Sequence, residues 1–169
     1  MRNGRTVPTD CGPSSLLGRT RPSLCAMART FLASDGLAKS GVDLFWLAEM
    51  LPRVDPNRIE IREAPRWFRA LWAKGIVAVA MPWAIYFTPA MMDRYTEGFE
   101  LPQLAQLLVH ELTHIEQLRR MGVLRHVAQY LSDYMRGRLR RVGHWDAYRA
   151  VRLEVEARAV AQLTLGGPR

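Results

Sequence analysis

Two histidines four residues apart, with a glutamate directly after the first, are the residues of this chain whose spacing points most directly to chemistry. They are His110, Glu111 and His114, in the stretch LVHELTHIEQ at residues 108–117. On a helix, side chains at i and i+4 project side by side, so both imidazoles can reach one ion. A zinc ion accepts neutral imidazole nitrogens at about 2.0–2.1 Å in a tetrahedral arrangement. The residue after the first histidine points sideways. Its carboxylate cannot easily join the same coordination sphere, but it can reach a water on the ion. The chemistry implied is hydrolysis by metal-activated water, with Glu111 as general base. The plainer reading is two histidines on a solvated helix edge, because a five-residue motif also occurs by chance.

The first requirement is the helix. Pro102 suits a first turn and Gly122 the position after a last one, so residues 102–121 read as one helix. At about 100° per residue, Leu101, Leu104, Leu108, Leu112 and Ile115 cluster on the side expected to face a core. His110 and His114 lie a right angle or more from the centre of that stripe. Gln103, Gln117 and Met121 share their side, and Glu111 falls between the two faces.

The second requirement is a third ligand. His126, His144, Glu154 and Glu156 follow the motif. In a helix predicted over 145–163, Glu154 shares a face with Ala150, Ala157 and Ala161, a strip on which another helix can pack closely. An unpartnered carboxylate buried there costs several kcal/mol, and a metal ion is a natural partner. An ion pair with arginine is the plainer one. Glu156 points to nearly the opposite side, where an exposed salt bridge suffices. Glu154 is therefore the expected ligand.

HELTHIEQ followed about forty residues later by EVEARA resembles the gluzincin zinc peptidases, most of all their minimal, minigluzincin-like members. In that clan the third ligand is the glutamate of a segment E-x-x-A-D, which Glu154 and Ala157 match and Arg158 does not. The resemblance implies Zn2+ on His110, His114 and Glu154, catalysis by Glu111, and a peptide or protein substrate. It also implies that residues 83–88 form the edge strand along the cleft, holding an extended peptide. The clan's aspartate orients a zinc histidine; with Arg158 in its place, Asp146 or Asp133 is left to substitute. A metzincin site would need glycine and histidine where Gln117 and Arg120 stand. For the group that stabilises the oxyanion, Tyr130, Tyr134, Tyr148, His126 and His144 all remain candidates.

Other elements must hold this pair of helices. Helical spacing appears over 42–50, 64–74 (closed by Gly75) and 124–139. Strands are predicted at 57–61, 75–81 and 83–88. The uncharged run between Lys74 and Asp93 approaches a membrane span in length, but Pro82 and Pro89 divide it into strands instead. There is no internal repeat. The fold class is α+β: a small zincin-like domain over 35–169, with a short mixed sheet, the HExxH helix and a C-terminal helix supplying the glutamate ligand. Residues 1–34 mix arginine with Gly, Pro, Ser and Thr and are expected to form a disordered tail; the composition also suits a transit peptide, or a start at Met27. No secretory signal core is evident, so a soluble, cytoplasmic protein is the expectation.

The net charge of +8 comes almost wholly from arginine, Lys39 and Lys74 being the only lysines. Cys11 and Cys25 both precede the predicted domain, which excludes a cysteine metal site within it. Residues 119–152 hold nine arginines against two acids, Asp133 and Asp146. This segment joins the two zinc helices, so it can offer an anionic partner a docking face beside the cleft; solvated helix faces are the plainer account. Two rival functions follow, a non-catalytic zinc-binding domain and a basic nucleic-acid-associated protein. No aromatic-interleaved nucleic-acid motif supports the second.

Overall fold

The computed structural model describes residues 29–97 and 101–166. Four short strands, β1 (Thr30–Leu32), β2 (Glu60–Glu63), β3 (Ala78–Met81) and β4 (Ala84–Phe87), form one mixed sheet in the order β1-β2-β4-β3. β2 and β4 run parallel, with Ile61 opposite Ile85; the other two pairings are antiparallel. Period-2 alternation buries Ile59 and Ile61 in and beside β2, and Ile85 and Phe87 in and beside the centre of the sheet. Eight α-helices complete the described residues, which makes this a small α+β domain.

The centre of the domain is α5 (Leu101–Met121). Leu104, Leu108, Leu112 and Ile115 are buried as the helical spacing predicts. Val109, Thr113, Glu116 and Gln117 are buried as well: α8 (Arg152–Gly166) packs along α5 and bonds Gln117 through Leu153, while Glu116 accepts from Arg53. Ala157 and Ala161 sit at that contact, so the alanine strip does what its small side chains allow. Gly122 follows α5 with φ +81°, a conformation that disfavours any side chain, and α6 (Val123–Leu139) starts at once. One residue thus turns the chain between two long helices.

The predicted helix over 145–163 is two helices, α7 (His144–Arg149) and α8. The break has a visible cause. Asp133 on α6 accepts from the backbone N–H of Arg152 at 3.3 Å and from its guanidinium at 2.8 and 3.0 Å. It thereby satisfies a donor that a helix start leaves free. Ala150 is consequently exposed at the end of α7 and does not belong to the strip.

Other expectations are corrected too. The helix over 64–74 shrinks to α3 (Arg66–Arg69) followed by turns, and Gly75 (φ +96°) lets the Trp145 ring approach to where a Cβ would lie 3.2 Å away. Residues 56–58 form a 3-10 turn capped by Asp55, so the strand begins at Glu60 and not at Asn57. Three elements went unpredicted: β1, α1 (Ala33–Lys39) and α4 (Pro89–Glu97). Residues 30–34 fall within the expected tail, yet Thr30–Leu32 pair with β2, and Ala33 and Ser34 are buried. Arg29 bonds Glu63 at 3.0 Å and Asp93 at 2.7 Å. The domain therefore starts before residue 35. The remainder of the predicted tail, residues 1–28, lies outside the described residues. Between β1 and α5 runs one further helix, α2 (Leu44–Met50), begun by the Asp43 side chain.

Candidate metal centre

α5 and α8 bring His110, His114 and Glu154 together. The two imidazole Nε2 atoms are 3.1 Å apart. One carboxylate oxygen of Glu154 lies 3.3 Å from His110 Nε2, and the other 3.4 Å from His114 Nε2. The Glu154 side chain is only 4% exposed. With one donor atom from each residue, all within 4.8 Å of one another, they form a group that can hold a metal ion.

Electrostatics follows from this geometry. Burial pushes the Glu154 carboxyl up, but hydrogen bonds from His110 and His114 outweigh it and hold the group well below the usual carboxylate range. Burial disfavours a charged His114, but Glu154, the charge of Glu111 and Gln117 together outweigh it, so its pKa is raised. Glu111 is buried, and burial raises its carboxyl, only partly countered by the two histidines and by the backbone N–H of Ala80. Glu111 does not join the donor cluster.

Ala80 belongs to β3, the outer strand of the sheet. A cleft of about 720 Å³ opens between β3, α6 and α7, with Glu111, His114 and Glu154 among its lining residues. The expectation for residues 83–88 is thereby corrected: β4 is internal, and the edge strand along the cleft is β3. Sequence gave no means to order the two, because both are short apolar strands flanking Pro82.

The five polar candidates around the centre sort by position. Tyr130 and Tyr148 line the cleft with Glu154, and burial, with the nearby Glu154 charge, pushes both phenols well above their ordinary pKa, so they stay protonated. The His126 ring stands edge-on to His114 at 6.1 Å. Burial, with help from His114, pushes it down to about 4, so it is neutral at neutral pH, and its Nε2 has no hydrogen-bond partner among the described residues. Tyr134 and His144 are paired with each other at 2.8 Å.

None of the described residues lining the cleft is an arginine or lysine. The arginines of 119–152 therefore do not form its wall, and several are internal ties: Arg119 donates to the carbonyls of Pro82 and Arg53, Arg120 pairs with Glu156, and Arg152 with Asp133. Neither Asp133 nor the exposed Asp146 approaches the histidines as an orienting acid. Arg158 instead bonds the carbonyl of Arg149. The residue that contacts the outer nitrogen of His114 is Gln117, at 2.9 Å. Its position on the histidine side of the helix was the only sequence signal for it.

No helix of the described residues is long and apolar enough to cross a membrane. Comparison with protein-family models, with curated proteins and with solved structures finds no match to this chain.

Proposed function

We propose that this protein is a zinc-dependent peptidase of the gluzincin type. The observation that carries the reading is the donor triangle. A tetrahedral ion bound at about 2.0–2.1 Å needs donors roughly 3.3–3.4 Å apart. The His110 and His114 nitrogens are 3.1 Å apart, and Glu154 sets one oxygen 3.3 Å from the first and its other oxygen 3.4 Å from the second, so either oxygen can complete a set of donors within 4.8 Å of one another. Two neutral imidazoles and one carboxylate also suit zinc chemically. When bound, zinc would polarise a carbonyl and acidify water.

The chain's own residues supply the rest. Glu111 takes a proton from the attacking water and delivers it to the leaving amine as the peptide bond breaks. Its burial raises its proton affinity, which suits a group that must accept and then release a proton. The outer edge of β3 offers backbone groups to an extended peptide. Tyr130, Tyr148 and His126 are the donors nearest to where charge would develop on the carbonyl oxygen. The apolar walls, among them Leu118, Val123, Val127 and Leu131, favour peptides with apolar side chains over acidic ones.

The test is metal analysis paired with cleavage of an unstructured, apolar-rich protein. About one zinc per chain is expected, lost in His110→Ala. Glu111→Gln should keep zinc and fold while hydrolysis falls by several orders of magnitude. Equal hydrolysis by wild type and Glu111→Gln would refute the mechanism. Full zinc in His110→Ala would refute the site.

A further inference from the structure

Gln117 lies one turn beyond His114 on α5 and has no solvent exposure. Its side-chain amide has three partners. Nε2 donates to the carbonyl of Leu153 at 3.0 Å and to the carboxylate of Glu156 at 3.0 Å. Both partners are on α8 and both are pure acceptors, so they fix which end of the amide faces them. Oε1 is left for His114 Nδ1, at 2.9 Å. An acceptor there holds a proton on Nδ1, so in the neutral imidazole that a metal needs, the lone pair is on Nε2, the atom facing Glu154. Glu156 is held in turn by the Arg120 guanidinium at 2.9 and 3.0 Å.

We infer that Gln117 is the positioning residue of the metal centre, setting the tautomer and ring rotation of His114 and tying that ligand to α8, the helix that carries Glu154. The inference rests on the metal-ligand reading proposed above. It follows from a bond network that spans both ligand-bearing helices: one amide touches a ligand on α5, the backbone of the residue preceding Glu154, and Glu156 two residues after it. A neutral amide is the group this position accepts. A carboxylate at 117 would face the Glu156 carboxylate and the Leu153 carbonyl with no proton to offer either, at separations where like charges repel strongly. The orienting role therefore passes from an acid to an amide, and Arg158 is free to cap α7.

The experiment measures zinc affinity by chelator competition on the full chain, as wild type and as Gln117→Met, together with melting of each metal-free protein. Gln117→Met keeps length and burial but offers no acceptor to Nδ1. Zinc affinity should fall by about ten- to a hundredfold in the folded variant. A merely structural role would lower the metal-free melting temperature and leave affinity within about twofold of wild type, which would overturn the inference. Should Gln117→Met not fold, zinc-loaded wild type labelled with nitrogen-15 in histidine decides alone. A slowly exchanging proton on His114 Nδ1 is expected; a proton on Nε2, with Nδ1 toward the metal, overturns it. Wild type that binds no zinc refutes the metal reading itself, an outcome distinct from zinc bound with no dependence on Gln117.

Discussion

Removing Glu154 should abolish the stabilisation that zinc gives the fold, and removing Glu156 should not. The perturbations are Glu154→Ala and Glu156→Ala, each compared with its own chelated form. Ligand binding to the native state stabilises by RT ln(1 + [L]/Kd), about 2.7 kcal/mol at a hundredfold excess over Kd. For a chain of this size, about 1 kcal/mol moves Tm by roughly 2–4 °C, so zinc should raise the wild-type Tm by roughly 5–11 °C. At the same zinc concentration, a tenfold weaker site retains about 1.4 kcal/mol and a hundredfold weaker one about 0.4 kcal/mol. Glu154 contacts both imidazole nitrogens and is 4% exposed, so its loss removes a donor that no neighbour replaces. Glu156 is 38% exposed and pairs with Arg120. Without it, Gln117 still donates to Leu153, so zinc affinity should stay within about threefold, or about 0.6 kcal/mol. The assay is thermal denaturation with zinc and with chelator. An undiminished zinc shift in Glu154→Ala would refute the ligand assignment, and loss of the shift in Glu156→Ala alone would place the other carboxylate on the ion.

Truncation to Met27 should leave Tm unchanged, because it keeps Arg29 with its bonds to Glu63 and Asp93 and all of β1. Truncation to Asp35 should lower it markedly, by removing β1 and the buried Ala33; equal melting of the two would show that β1 contributes nothing. Asp133→Asn should destabilise at neutral pH by loosening the start of α8. Hydrogen bonds from Arg152 hold the Asp133 carboxyl below its ordinary value, so its contribution is present above about pH 4, the unfolded value, and disappears as pH falls through the lower folded one. Acid-unfolding curves of variant and wild type should therefore converge below that pH; a constant gap down to strong acid would show that the carboxylate charge is not the cause.

The long helix and its ligand pair were legible because each rests on local signals: Pro102, Gly122, the leucine spacing and the four-residue histidine interval. Glu154 could be chosen over Glu156 because alanines mark a close helix contact. What escaped depends on distant partners. Gly36 lies within α1, where a Cβ would come within 2.6 Å of Leu108 on α5; the close approach selects glycine. The break before α8 depends on Asp133, nineteen positions upstream of Arg152. α4 could have been found, since Thr88 before Pro89 is a legible start, and Thr88 Oγ1 does accept from Met91 N–H at 3.3 Å. The choice of Gln117 over an acid needed the facing helix.

Between a catalytic and a purely structural metal site, the carboxylate beside the ligands is the informative group. A metal held only for folding needs its donors enclosed and gains nothing from another buried acid. Here Glu111 is 6% exposed, has a raised pKa because burial disfavours its charge, and lies on the cleft with His114 and Glu154. Keeping an acid there costs stability unless the site uses it. Glu111 and β3, which is terminal in the sheet of the described residues, both border this cleft. A nucleic acid in that space would need cations to meet its phosphates, and none of the described lining residues is an arginine or lysine. These placements are the ground for proposing hydrolysis of an extended peptide there. Glu111→Gln sharpens the choice, because removing a buried charge should stabilise the metal-free fold while abolishing activity. A variant that loses stability instead would mean that Glu111 is held for structure.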